Sequence, residues 1–394
     1  MTNLPQGWKW KSLGEICFIT DGTHKTPNYI ETGIPFLSVK NISKGFFDLS
    51  DVKYISLEEH NKLIKRAKPE FGDILICRIG TLGKAIKISL EFEFSIFVSL
   101  GLLKPKVKII SDYLVYFLNS CFIEEWINDN KVGGGTHTAK LNLNILEKCP
   151  IALPPLKEQE RIVGILDESF AKIDESIKIL EQDLLNLDEL MQSALQKAFN
   201  PLKDNAKENY KLPQSWEWKS LEEISENISA GGDKPKNCTE SKTAKNQIPV
   251  YANGVNNNGL VGYTDKATII KPSLTISARG TIGFVCIRKE PYFPIVRLIS
   301  LIPCENILCL HYLYFCLNFF IAKGEGSSIP QLTIPKFKSL QIPLPPLKEQ
   351  EQIAEHLDFV FEKAKALKEL YTKELKDYEE LKQSLLNKAF KGEL

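Results

Sequence analysis

The chain has 394 residues, with 50 Lys+Arg against 49 Asp+Glu and 43% hydrophobic residues. That balance excludes a disordered or strongly polyelectrolyte protein, and the length predicts two or more domains, each able to bury its own core. Nine cysteines without a Cys-x-x-Cys pair or Cys/His cluster predict reduced core thiols and no metal site; the lack of a long apolar run or a basic leader predicts a cytoplasmic protein that does not enter a membrane.

Along the chain, Trp8-Lys9-Trp10-Lys11-Ser12-Leu13 opens a region of short β-like runs. Ile34 to Val39 and Asp73 to Arg78 are apolar strands bounded by Gly, Asn, Pro and Lys, and Tyr113 to Asn128 carries a helical pattern. Residues 1–155 therefore read as a mixed α+β globular part. Leu153-Pro154-Pro155-Leu156-Lys157-Glu158-Gln159-Glu160 then opens a helix over 156–200. Proline lacks only an amide that the first helical turn leaves unpaired, and the glutamates suit its positive end. Its small and apolar residues fall at Ile162, Leu166, Ser169, Ile173, Ile177, Leu180, Leu184, Leu187, Met191, Ala194 and Ala198, the alternating four-three steps of a coiled-coil seam.

The same order then repeats. Trp216-Glu217-Trp218-Lys219-Ser220-Leu221 begins a second globular part, 201–343, with a strand over Leu274 to Arg279 and a helix over Leu308 to Ala322. Leu344-Pro345-Pro346-Leu347-Lys348-Glu349-Gln350-Glu351 opens a second helix, 344–394, whose seam runs from Ile353 and Leu357 to Leu385 and Ala389. Opening phrases and closing phrases, Gln192 to Phe199 and Gln383 to Phe390, match at one shift, so the helices keep a fixed length while the globular parts drift. Two like halves meeting through one seam predict an antiparallel coiled coil with a pseudo-two-fold repeat. At 1.5 Å per residue each helix is roughly 60 Å long, a stiff spacer.

Charge divides along the same lines. The globular segments carry 19 basic against 16 acidic residues and 17 against 12, giving +3 and +5; the helices carry 5 against 10 and 9 against 11, giving −5 and −2. Basic globular parts suit phosphate, and acidic helices suit protein partners.

Glycine lets a backbone approach a phosphate, Lys and Arg pair with it, and Asn, Gln and Arg can grip base edges. The loops rich in these types supply candidate DNA contacts: Thr23, His24, Lys25, Lys40, Asn41, Arg78, Thr81, Lys84, His137, Thr138 and Lys140 in the first part. In the second they are Lys234, Lys236, Asn253, Asn256, Asn257, Arg279, Thr281 and Gln331. No Walker loop, metal spacing or nucleophile constellation accompanies them, so no catalytic residue is expected. Candidate docking residues on and beside the helices are Leu156, Ile165, Phe170, Leu195, Phe199, Leu347, Phe361, Leu386 and Phe390.

The duplicated Leu-Pro-Pro-Leu-Lys-Glu-Gln-Glu phrase, the Gln-Ser-x-Leu-x-Lys-Ala-Phe closings and the Trp-x-Trp-Lys-Ser-Leu openings resemble the specificity subunits of type I restriction-modification systems. The resemblance implies two target recognition domains, each reading one half of a bipartite asymmetric site in double-stranded DNA. It implies spacer helices that set the gap and dock two modification subunits, with restriction and translocase subunits as further partners. S-adenosylmethionine and adenine methylation would reside in the partner, and no cofactor is expected in this chain. The rival reading is a two-headed protein-binding scaffold without DNA readout.

Overall fold

The computed structural model describes all residues except 1–3, 134–138, 200–212, 214, 322–323 and 326–331, with Gly324 and Glu325 described by backbone alone. The chain divides into two compact units, Met1–Leu180 with Lys373–Leu394, and Glu181–Thr372. Each takes one end of both long helices.

In the first unit, strand Lys9–Ser12 pairs antiparallel with Pro150–Leu153, the strand that feeds the first long helix. The amide of Leu13 then donates to Cys149 O at 2.8 Å, and Leu13 is fully buried. The central sheet is antiparallel in the order Cys17–Asp21, Leu100–Pro105, Ile74–Cys77, Ala85–Lys87. All four residues of Ile74–Cys77 are buried, which is why that strand reads as an unbroken apolar run rather than an alternation. A smaller sheet joins Lys53–Ile55, Ile34–Leu37 and Ser95–Ile96, the last pair parallel.

The helix expected over 113–128 is two helices, Ser111–Leu118 and Cys121–Asn130. Asn119 marks the break: its side-chain amide accepts from Ala85 N at 3.1 Å and donates to Ala85 O at 2.9 Å, pinning the turn to the sheet edge. Tyr113, buried on the first of these helices, donates its hydroxyl proton to Ala152 O at 2.6 Å.

The second unit repeats these three sheets and adds a two-stranded ladder, Thr281–Ile282 with Gly324–Glu325. Glu217–Ser220 pairs with Gln341–Leu344; the central sheet runs Ser225–Ala230, Ile299–Pro303, Ser273–Ile276, Val285–Arg288; the smaller one runs Leu260–Thr264, Ile248–Tyr251, Phe293–Pro294. Leu221 N donates to Leu340 O at 3.0 Å, and Tyr312 on helix Leu310–Phe320 donates to Pro343 O at 2.7 Å. The Trp-x-Trp-Lys-Ser-Leu openings are thus the strand and buried leucine that tie each globular part to its long helix.

The long helices are Leu156–Phe199 and Leu347–Lys391. In the first unit Ile162 and Leu166 share a core with Leu386 and Ala389, and farther along Lys382 Nζ donates to Asp174 at 2.5 Å. One helix ascends as the other descends, so they run antiparallel. In the second unit Phe199 shares a core with Ala354 and Leu357, and Lys368 pairs with Asp188, with the same sense. Two seam positions differ from the heptad reading: Leu367 and Leu381 are 38% and 44% exposed. Their neighbours Lys368 and Lys382 lie against the partner helix instead, aliphatic stems inward and ammonium groups on aspartate.

Candidate nucleic-acid interface

In the first unit, strand Cys17–Asp21 ends on a carboxylate that is 1% exposed. Burying a charge is costly unless it is paired and hydrogen-bonded. Arg78 Nη1 bonds Asp21 Oδ2, Arg66 Nη2 bonds Oδ1, and His24 Nε2 lies 3.0 Å from Oδ2. Arg78 also donates from Nε to Leu141 O and from Nη1 to Val98 O, both at 3.1 Å. Burial draws the Arg78 guanidinium below its ordinary pKa, and the Asp21 charge opposes that.

Arg78 is therefore an internal anchor, 6% exposed, and the expectation that it meets DNA directly is corrected. Asn41 is corrected for the same reason. It is 4% exposed, its Oδ1 accepts from Ser38 N at 2.9 Å, and its Nδ2 donates to Asp48 O at 3.1 Å. His24, Lys25, Lys40, Thr81 and Lys140 are exposed, and Thr23 and Lys84 are half-buried. Thr23, His24 and Lys25 line one cavity of about 350 Å³ with Lys62, Leu63 and Arg66. His137, Thr138 and Gln331 lie outside the described residues.

One glycine in each of the two matching loops serves packing. A Cβ on Gly22 would stand 2.0 Å from Ile96 O, and one on Gly231 would stand 2.6 Å from Ile295 N. Both loops cross a neighbouring backbone there, so these two glycines face protein rather than phosphate.

Arg78 and Arg279 are not equivalents. Leu141 N donates to Arg78 O as Leu332 N donates to Ala278 O, so the small, buried Ala278 takes the place of Arg78. Arg279 sits one residue farther on and is exposed. Lys234, Lys236, Asn256 and Asn257 are also exposed, and Thr281 is half-buried.

Asn253 is a staple between loops: Nδ2 donates to Val296 O at 2.6 Å and Oδ1 accepts from Ala278 N at 2.8 Å. It holds the turn at Val296 and Arg297, two non-glycine residues at φ 54° and 59°. A β-branched residue in the left-handed region is strained, and such strain clusters at functional sites. Beneath the 256–259 loop, Arg288 lies 3.6 Å from the Tyr251 ring centroid and donates to Asn258 O at 2.5 Å and Thr275 Oγ1 at 3.0 Å. Arg66, Arg288 and Arg297 had no motif to single them out. Only their residue type, scarce in this chain, could have drawn attention.

Of the expected docking residues, Phe199 and Leu386 are at most 4% exposed within the cores. Phe170 packs on Tyr116, Phe361 on Phe315 and Phe390 on Phe117, with ring centroids 5.4, 5.1 and 4.8 Å apart. Leu195 packs against the second core. Phe199 and Leu386 are corrections with one cause, since the adjoining globular part covers them; Phe170, Leu195, Phe361 and Phe390 are half-buried against the same cores. Ile165 and Leu347 are half-buried and Leu156 is 40% exposed. Along the two long helices the large apolar residues above half exposure are Ile179, Leu185, Leu190, Phe359 and Leu370.

Among the described residues, no group of His, Cys, Asp and Glu could hold a metal ion, and no helix is long and apolar enough to cross a membrane.

Residues 5–184 and 213–376 match the family model described as type I restriction modification DNA specificity domain. The chain is 31% identical over 272 residues to a type I specificity-subunit sequence of Mycoplasma pneumoniae, S.MpnORF507P, covering 68% of this chain and 69% of that one. It is 25% identical to the type I restriction enzyme StySPI specificity subunit of Salmonella potsdam, over 99% of this chain and 90% of that one. A solved structure described as the basis of complex assembly and conformational transition of the type I R-M system superposes over all of both chains, with TM-score 0.81 at 21% identity. At that identity the likeness establishes the fold.

Proposed function

The chain belongs to the type I restriction-modification DNA specificity family, and from that premise we propose that each globular part reads one half of a gapped, asymmetric DNA site. It is the DNA-recognition subunit of a type I system. The observation that carries the finer reading is the repeat of the same three sheets carrying different loop chemistry. The first unit presents His24 and Arg66 on a buried carboxylate with Lys25 lining the same cavity, whereas the second presents Asn256, Asn257, Arg279 and Arg297 on stapled turns. Like scaffolds with unlike loops fit two different half-sites, and two helices of near-equal length, 44 and 45 residues, fit a fixed gap.

Two methyltransferase subunits dock on the helices, through the exposed Ile179, Leu185, Leu190, Phe359 and Leu370 together with Leu156. They bind S-adenosylmethionine and transfer the methyl group to adenine, while this chain positions them. Restriction and translocase subunits join the same assembly in the cytoplasm.

The test is long-read mapping of N6-methyladenine in cells making this chain with its methyltransferase, against cells with the methyltransferase alone. A gapped asymmetric motif that requires this chain is expected. Unchanged methylation, with both proteins soluble and co-purifying, would favour a scaffold without DNA readout.

A further inference from the structure

We propose that Arg66 reads a guanine edge in the first half-site and that the buried Asp21 is its positioning residue; this rests on the first globular part being a DNA reader. Arg66 follows helix Leu57–Leu63, and 45 residues of chain separate it from the carboxylate it joins. Its Nε donates to Asp21 O at 3.2 Å and its Nη2 bonds Asp21 Oδ1, so main chain and side chain of one residue fix the guanidinium plane. His24 Nε2 stands 3.5 Å from Nη2, at the margin of a hydrogen bond.

That clamp uses the Nε side of the group. Among the described residues Nη1 has no partner, and with the second hydrogen of Nη2, met only by His24 Nε2 at 3.5 Å, it forms an end-on pair of donors. The Arg66 side chain is 55% exposed while its anchor is 1% exposed. The cavity it lines has Thr23, His24, Lys25, Lys62 and Leu63 as its other walls, with no carboxylate among them. Lys62 is paired at 2.6 Å with Glu58, outside the lining.

A phosphate needs charge and tolerates a mobile lysine. A guanidinium held in one plane matches a pair of acceptors such as guanine O6 with N7 in the major groove, and because two phosphate oxygens fit the same fork, the methylation map is chosen to separate the two. Fixing the group before binding also lowers the ordering cost of the contact. Arg78, the second guanidinium on Asp21, is internal and holds the carboxylate in place by its bonds to Leu141 O and Val98 O.

The device belongs to the first unit alone. Asp21 lies opposite Gly101 in its ladder, and Ala230 holds the matching place opposite Ile299 in the second unit. Substitutions here should therefore change one half of the motif.

The experiment maps methylation in cells making the methyltransferase with the wild-type chain, Arg66→Lys, Arg66→Ala or Asp21→Asn. Arg66→Lys keeps the charge and removes the fork. Expected is a loss of roughly 10- to 100-fold in discrimination at one G·C position of the first half-site, with the second half-site and the gap unchanged. Asp21→Asn should relax that same position where the chain accumulates; where it does not, the Arg66 variants decide. An unchanged motif with both Arg66 variants overturns the inference, as does uniformly weaker methylation with every base preference kept, the mark of a phosphate contact. A wild-type chain that directs no gapped motif overturns the DNA-reading function itself, which separates that failure from this one.

Discussion

Gln159 Oε1 accepts a hydrogen bond from the backbone amide of Ile110 at 2.9 Å, while its Nε2 donates to Pro154 O at 2.9 Å. Gln350 does the same in the second unit, accepting from Cys309 N and donating to Pro345 O, both at 2.8 Å. Both glutamines are at most 1% exposed. The duplicated phrase therefore has a mechanical meaning. The double proline turns the chain into the helix, and the buried glutamine locks that turn to the segment preceding the globular part's own helix.

Gln159→Leu should destabilise the first unit by about 1–3 kcal/mol, because it leaves the Ile110 amide and Pro154 carbonyl buried without partners. Urea denaturation measures this, and exchanging the adjacent exposed Glu160 for Gln is the control, with an effect within about 0.5 kcal/mol.

The antiparallel pair is held by its seam more than by its charges. Ile162→Ala, at a fully buried position, should cost about 2–5 kcal/mol. Asp174→Ala removes an ion pair to Lys382 whose aspartate is 63% exposed, and should cost less than about 1 kcal/mol. Thermal unfolding of the two variants checks the order.

Gly22→Ala should unfold or rearrange the loop before Thr23, because the new methyl would meet Ile96 O. The open, positive-φ Gly80, with no atom within 4 Å of its Cβ position, should tolerate Asn far better. Amide hydrogen exchange of Thr23 and Val98, which bond across this crossing, reports the difference.

Stability should fall in alkali. Burial pushes the thiols of Cys17, Cys77 and Cys149 up to about 12 from an ordinary value of 9.0, and raises the phenols of Tyr113 and Tyr312. Above pH 9 the unfolded chain releases these protons while the folded chain keeps them, so unfolding is favoured as pH rises. The contribution is whole at neutral pH and is lost between about pH 9 and 12. A urea midpoint lower at pH 10 than at pH 7.5 is expected.

The helices, their seams and the duplication were legible in sequence, because heptad spacing and an eight-residue phrase such as Leu153 to Glu160 are local signals. Strand order was not: Ile34–Leu37 pairs in parallel with Ser95–Ile96, across a separation that no local pattern encodes. The candidate loops stand out in sequence by their Gly, Asn, Lys and Thr content, and the two arginines after strands stand out alike. Arg78 follows a strand beside Gly-Thr as Arg279 does, yet a one-residue offset places the first inside and the second at the surface. Arg66 carries no sequence signal because the Asp21 carboxylate it bonds is brought to it by the fold. Phe199 and Phe390 looked like exposed apolar residues on acidic helices, and the adjoining globular parts cover them.

The most direct test of the central claim replaces the second globular part, residues 216–343, with the first, residues 8–152, between unchanged long helices. Methylation is then mapped in cells that make the methyltransferase. The account predicts a motif containing the first half-site twice, with the second half-site gone and the gap kept. Retention of the wild-type asymmetric motif, or a change in both half-sites, would contradict it.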